Sequence, residues 1–523
     1  MPAGKRYPLG GPRDVEGRQM QTKQSRSNLI MKFTLLIIIP VLLGGCIQPS
    51  YDTTIDAEVT KINNYLQGIV DRQQTPGLTL SATRNDTVVY MGAFGFRNIT
   101  TKEPMKATYD FHWASVSKTF VATAIMQLVE KGKIKLDEKL IRYLPYFKQK
   151  DDDYKVITIR QMLNHTSGIG DVEDYEWDRP QNDDGAPERF VRSLQNDKML
   201  FKPGTDWSYS NTAYEILGVL ISTVSGMPFE SYVKENILAP LEMTNSSFIY
   251  PEIPDSLRVS GHLWAGKPIV SKIYPYNKIH APSSTLNSNV LEMTHYAMAN
   301  LHRGKYKDVQ ILNDSSYNLL WTNSVNLKDK PAVGASWFLN EHRGLKTMSH
   351  GGADTGFRSF LLLVPEKNIS VMVACNYELC RTRDIAHGVL DLLLGEEPDE
   401  VKRQIGFSFA EVLIKDGPEA ARNVYKTTKA DSAQHKYFLW QEDDAALTYP
   451  GYLFLDQKMF NEALEVFKFN VETNPTSGWA YGHLGVAYAR TGNKDLAREN
   501  LSKAIGIIPT EEYFREELKK LNE

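Results

Sequence analysis

The chain has 523 residues, more than one compact domain usually holds. Hydrophobic residues make up 42% and charged residues 24%, with 35 Gly and 25 Pro, an ordinary globular balance that excludes a disordered, collagen-like or polytopic membrane chain. Lys and Arg total 60 against 63 Asp and Glu, so the net charge of -3 supplies no electrostatic reason for nucleic-acid binding, and three cysteines exclude a disulfide scaffold.

Residues 1–30 carry Lys5, Arg6, Arg13, Arg18, Lys23 and Arg26 without apolar periodicity, and read either as a basic leader or as text upstream of a true start at Met31. From Met31 the order is Lys32, an apolar run over residues 33–43, then Gly44, Gly45 and Cys46, the three-part pattern of a secretory signal peptide. That run is too short to span a bilayer as a helix. Leu43-Gly44-Gly45-Cys46 resembles a bacterial lipobox, which implies removal of residues 1–45, lipidation of Cys46 and a linker over residues 46–55. The expectation is a bacterial envelope protein, lipid-anchored to a membrane and facing the periplasm or the cell surface.

Two β-rich runs, residues 78–83 and 88–90, are separated by Asn85-Asp86 and followed by Gly92 and Gly95, which predicts a hairpin. Val121, Ala124, Ile125 and Leu128 recur at helical spacing before Gly132. Residues 171–188 hold eight acids and Arg179 and read as a solvated loop. A second β block, residues 359–364 and 369–374, surrounds the turn Pro365-Glu366-Lys367-Asn368. Cys375 ends it and Cys380 follows where a helix could start; buried thiols are expected, although an oxidising envelope permits a disulfide. Strands at both ends with helices between predict an α+β domain over residues 56–395 whose sheet is closed by distant segments.

From residue 396 the pattern turns to helices alone. Gly451 and Gly485, Phe454 and Tyr488, Ala463 and Ala497, and Pro475 and Pro509 each stand 34 residues apart, a period that resembles tetratricopeptide repeats. Residues 407–429, with Ala420, Ala421 and Tyr425, resemble a degenerate earlier helix pair. The expectation for 396–523 is an all-α repeat domain that binds a protein partner or packs on the preceding domain.

Ser115-Val116-Ser117-Lys118 opens the apolar helix, so Ser115 and Lys118 lie one turn apart on one face, with the serine at the positive helix end. A desolvated lysine there can exchange its proton near neutral pH. Ser231 and Lys234 repeat the spacing without special context and read as a surface helix. Tyr209-Ser210-Asn211 follows Pro203-Gly204, and His350-Gly351-Gly352 precedes the second strand block. Ser-x-x-Lys, then Tyr-x-Asn, then a strand triad ending in Gly is the order of penicillin-recognising serine acyl-enzymes. With Phe111-His112-Trp113-Ala114 and His165-Thr166-Ser167-Gly168 beside it, the stretch 56–394 resembles the class C β-lactamase-like superfamily of penicillin-binding peptidases, D-amino-acid amidases and esterases.

The resemblance implies an antiparallel sheet flanked by helices plus a helical subdomain, with Ser115 as nucleophile and Lys118 as its proton partner. It implies Tyr209 as general base or acid at the leaving group, Asn211 as a positioning donor, and the backbone N–H groups of Ser115 and Ala353 facing an oxyanion. A phenol is a poor base at neutral pH unless a cation lowers its pKa, and Lys118 is the candidate cation. Gly351 and Gly352 would leave room for substrate along the strand. The implied activity is hydrolysis of a small ester, amide or D-amino-acid peptide. The alternatives are a D,D-peptidase or β-lactamase, and a catalytically inert binding protein that works through its repeats.

One motif departs from the β-lactamase pattern. His350 stands where those enzymes carry the lysine of Lys-Thr-Gly, and Lys346 lies about 13 Å away along a strand. Losing a fixed cation weakens a pocket for a substrate carboxylate and favours esters or amides. His350 is expected either to donate toward Tyr209 or to hold an acyl group, and to make the site's field pH-dependent near its ordinary pKa of about 6.5. His165 reads as a capping or buried structural histidine. No His-Glu-x-x-His or paired Cys-x-x-Cys motif occurs, so neither a metal nor another cofactor is expected.

Overall fold

The structure, a computed structural model, describes residues 53–72, 75–172, 174–325, 327–439 and 445–521. The expected leader, the signal sequence and Cys46 lie outside the described residues. After helix α1 (Thr53–Asp71), strands β1 (Gly77–Arg84) and β2 (Thr87–Asn98) form the expected hairpin, turning at Asn85 and Asp86, both at positive φ. The short β3 (Glu103–Pro104) pairs with β2. Four strands arrive from far along the chain: β4 (Phe338–His342), β5 (Leu345–Asp354), β6 (Phe357–Val364) and β7 (Ile369–Cys375). They complete one antiparallel sheet in the order β4-β5-β6-β7-β1-β2-β3. The β1/β7 register runs from Leu78↔Cys375 to Arg84↔Ile369, so distant segments close the sheet as their composition suggested.

Strands β6 and β7 are buried on both faces, which is why they read as continuous apolar runs. Their alternation still divides them between two cores. Leu361, Leu363, Met372 and Ala374 face the cluster built on α2 (Ser117–Glu130) and α3 (Asn211–Ser225). The short α4 (Ala281–Ser284) packs against both helices, and α5 (Val290–Leu301) lies on the sheet, its Val290 carbonyl accepting from Ser81 Oγ at 2.9 Å. Phe360, Leu362, Val371 and Val373 face the opposite cluster, which includes α1 and α6 (Thr382–Leu393). Cys375 and Cys380 are joined as a disulfide, with Cα atoms 6.3 Å apart, rather than left as free buried thiols. The loop between strand and helix folds back far enough to bring the two sulfurs together.

The C-terminal region is helical: α7 (Ile405–Asp416), α8 (Pro418–Ala430), α9 (Ala445–Asp456), α10 (Phe460–Thr473), α11 (Gly478–Arg490), α12 (Lys494–Ile507) and α13 (Glu512–Lys520). A side chain at Gly451 would collide with Phe467, and one at Gly485 with Leu501, so equivalent close approaches recur at the 34-residue period in the pairs α9/α10 and α11/α12. These helices share the second core with α1, α6 and the outer face of the sheet.

Candidate active site

The turn that carries Ser115 begins at the two-residue strand Phe111–His112 and passes through Ala114, whose φ of +47° is costly for a residue with a Cβ. Ser359 Oγ on β6 donates to the Trp113 carbonyl at 2.7 Å and ties this turn to the sheet. Ser115 is half-buried, one residue pair before α2 begins.

One turn on, Lys118 is 0% exposed. Its Nζ donates to Ser115 Oγ at 3.1 Å, Asn211 Oδ1 at 2.5 Å and the Ser283 carbonyl at 2.7 Å, all uncharged acceptors. Burial draws its pKa down from 10.5 to about 8, against the opposing pull of Glu215, Asp171 and Asp354. A lysine so placed is a base at mildly alkaline pH.

Tyr209 reaches the same point from the segment before α3. The Lys118 ammonium nitrogen lies 5.0 Å from its ring centre. Burial pushes the phenol well above 10, and Ser115 is the neighbour that draws it back down. The expected lowering of this pKa by Lys118 does not occur, because desolvation of the phenolate outweighs any cation. Tyr209 is therefore a neutral phenol in the resting site. Its ring stacks on His165, centroids 4.3 Å apart, and His165 Nδ1 accepts from the Ser210 N–H at 3.2 Å. His165 is buried at φ +66°, with its pKa held well below 6.5 by burial and by Lys118. It is structural, as its sequence context suggested, and what it orients is Tyr209.

Asn211 opens α3, where Ser210 caps the helix by accepting from the Ala213 N–H. With Oδ1 committed to Lys118, Asn211 Nδ2 donates to Tyr175 Oη at 2.5 Å and to Asp171 Oδ2 at 3.2 Å, while its N–H donates to Asp171 Oδ1 at 2.8 Å. The acidic stretch 171–188 is thus more than a solvated loop at this end: it clamps the residue that holds the lysine. Nothing in its composition distinguishes Asp171 from its acidic neighbours.

His350, Gly351, Gly352 and Ala353 lie on β5. Strand β4 pairs with β5 only from Leu345 to Ser349, so among the described residues the outer edge from His350 to Asp354 carries no strand, and at Gly352 β5 lies against Trp113 and Ala114. Lys346 pairs with Glu341 at the far end, remote from the site as expected. The two glycines differ. A Cβ on Gly352 would run into Trp113 O and Ser359 Oγ, whereas one on Gly351 would make ordinary contact with Phe360 at 3.4 Å. Gly352 is needed to bring the strand against the turn that carries Ser115. His350 Nδ1–H donates to its neighbour's Gly351 carbonyl at 2.8 Å, which leaves Nε2 as an unprotonated acceptor. Burial and Lys118 lower its pKa to about 3, so the expected charge change near neutral pH is replaced by a neutral ring. It cannot donate toward Tyr209.

The second Ser-x-x-Lys copy is a surface feature, for Lys234 is exposed and pairs with Glu252 at 3.2 Å. Sequence reasoning missed a buried cluster behind Ala353. Asp354 Oδ2 is met by His112 Nε2 at 2.7 Å and by Ser284 Oγ. His112 sits in the quoted motif, but no spacing connects it with Asp354 or Ser284.

The Beta-lactamase family model matches residues 62–392. Among curated proteins, Protein flp of Staphylococcus aureus strain N315 is 27% identical over 319 residues, 60% of this chain and 62% of that protein. The chain therefore spans under two thirds of the length of these relatives. Penicillin-binding protein 4* of Bacillus subtilis strain 168 is 35% identical over 185 residues, 34% of this chain and 39% of that protein. Among solved structures, the octameric penicillin-binding protein homologue from Pyrococcus abyssi superposes with a TM-score of 0.59 at 26% identity, covering 68% of this chain and 82% of that one. With the matched region running over more than half its length and through Ser115, Lys118, Tyr209 and His350, the chain belongs to the Beta-lactamase family.

Proposed function

We propose that this protein is an envelope-anchored serine hydrolase that cleaves an ester or amide through an acyl-enzyme on Ser115. The observation that carries this reading is the fully buried Lys118, bonded to Ser115 Oγ at 3.1 Å and with its pKa drawn to about 8. Neutral Lys118 takes the Ser115 proton as Oγ attacks the substrate carbonyl carbon. The oxyanion forms toward the Ser115 and Ala353 N–H groups. On collapse the bond to the leaving group breaks, Tyr209 protonates that group, and Lys118 returns a proton to Tyr209. Water then attacks the ester of the acyl-enzyme in the reverse proton order and frees Ser115.

A neutral His350 supplies no fixed cation for a substrate carboxylate, which favours esters and uncharged amides over β-lactams. The D,D-peptidase or β-lactamase reading is supported by the relative named Penicillin-binding protein 4* and by the likeness to the penicillin-binding protein homologue from Pyrococcus abyssi. Incubation with a fluorophosphonate and, separately, with a fluorescent penicillin, followed by intact mass, tests both. The expected result is a mass increase on Ser115 with the first reagent and slow or no labelling with the second. Failure of the fluorophosphonate to label a folded protein would favour the inert binding reading.

The envelope location rests on the lipobox-like text ending at Cys46. Wild type should fractionate with membranes and Cys46→Ser should not. We also assign the C-terminal helix pairs to the tetratricopeptide type, on the strength of their 34-residue period, as a surface for a protein partner.

A further inference from the structure

Among the described residues no carboxylate is hydrogen-bonded to Lys118, yet three acids face it. Glu215 is the most buried of them, at 1% exposure, and lies one turn after Asn211 on the same face of α3. Its Oε1 accepts from Ser283 Oγ at 2.6 Å and bonds His280 Nδ1 at 3.0 Å. Its Oε2 is buried and has no hydrogen-bond partner among the described residues. Ser283 is the residue whose carbonyl accepts from Lys118 Nζ, so one residue of α4 touches both the lysine and the carboxylate. Close packing holds α4 there, since a Cβ on Gly218 of α3 would overlap the Pro282 ring. The next residue, Ser284, donates to Asp354 beside Ala353, so the same short helix also grips the oxyanion strand.

We infer that Glu215 is a positioning residue for Lys118, acting through Ser283 and as a buried counter-charge set one group back from the ammonium. The inference rests on the acyl-enzyme reading above, in which Lys118 receives the Ser115 proton. A carboxylate bonded directly to Nζ would hold the lysine as an ammonium and spoil it as a base. One removed by a serine leaves Nζ free to be neutral, and favours the ammonium at the moment it forms. The groups facing Lys118 from other elements are Asp171 from the acidic loop, Asp354 from the end of β5, the neutral His165 and His350, and the phenols Tyr209 and Tyr214. Burial has the larger effect on its pKa, and Glu215 leads the opposing charges.

The test is the pH dependence of kcat/KM for an activated ester in wild type, Glu215→Gln and Ser283→Ala, with thermal melts to check folding. Glutamine keeps the shape and an acceptor for Ser283 but removes the charge. The Glu215→Gln alkaline-going limb should move toward lower pH by about one unit, and its plateau should fall roughly tenfold as the nascent ammonium loses its counter-charge. Ser283→Ala retains the carbonyl but frees it from Glu215, so its plateau should fall as well. A folded Glu215→Gln enzyme with an unmoved limb overturns the inference, while fluorophosphonate labelling of wild type leaves the acyl-enzyme reading standing. Should Glu215→Gln fail to fold, a Ser283→Ala profile superimposable on wild type overturns it. A wild type that neither labels nor turns over ester sinks both together.

Discussion

A lysine in water is almost wholly an ammonium at pH 7, whereas the same side chain at 0% exposure among a hydroxyl, an amide oxygen and a carbonyl holds roughly a tenth of its population as the neutral amine. Desolvation penalises its charged form, and Glu215, Asp171 and Asp354 recover only part of that penalty, which brings the pKa to about 8. In the proposed acyl-enzyme route the reacting form is the neutral amine, so kcat/KM for an activated ester should rise with pH through about 8 and level off above it. His350, held neutral down to about pH 3, should add no second limb near 6.5. A limb near 6.5 that vanishes in His350→Gln would contradict this. The choice of nucleophile is tested at the same scale. Ser115→Ala should abolish ester turnover, whereas Ser231→Ala, beside an exposed and already paired Lys234, should retain nearly all of it. Comparable losses in the two variants would refute the assignment.

Elements enter where two of them must touch. The turn at Ala114 and strand β5 approach closely enough that Gly352 has no room for a methyl group, while Gly351, one residue away on the other face, has room. Gly352→Ala should break the Ser359–Trp113 hydrogen bond, push β5 from the nucleophile and cost on the order of a hundredfold in kcat/KM. Gly351→Ala should stay close to wild type. Steady-state kinetics on the pair decides it, and equal losses would mean that the glycines serve substrate clearance rather than packing. Sequence placed both glycines at the site but could not separate their roles, since period 2 says which face each takes and nothing about what stands opposite.

For the whole molecule, the boundary near residue 395 does not interrupt the core. Trp264, 0% exposed, sits on a short hairpin (His262–Trp264 with Pro268–Val270) that reaches from the Beta-lactamase family region into the C-terminal helices. Its ring packs 4.9 Å from Phe407 and 5.0 Å from Phe454, its Nε1 donates to Glu411 Oε1 at 3.3 Å, and its carbonyl accepts from Gln457. Trp264→Ala should cost about 3–5 kcal/mol and divide a single calorimetric transition into two as the helical region uncouples. An unchanged single transition would show that Trp264 is not what couples the two regions. This coupling was invisible in the sequence because residues 262–270 carry no repeat and no strong periodicity.

What the sequence by itself determined is everything written locally. The hairpin at Asn85-Asp86, the helix opened by Ser115 and Lys118, the apolar β blocks and the 34-residue period each depend on residues near one another in the chain, where spacing alone decides which side chains share a face. Tertiary structure decided what depends on distance through space. It pairs Cys375 with Cys380, fixes His350 as a neutral acceptor, keeps Tyr209 a phenol, and brings Asp171, Glu215 and Ser283 around one lysine. Apart from the disulfide, whose cysteines stand five residues apart, those outcomes rest on burial and on contacts between distant parts of the chain. Desolvation sets the protonation of a buried group, and no linear spacing records how deep a group will lie.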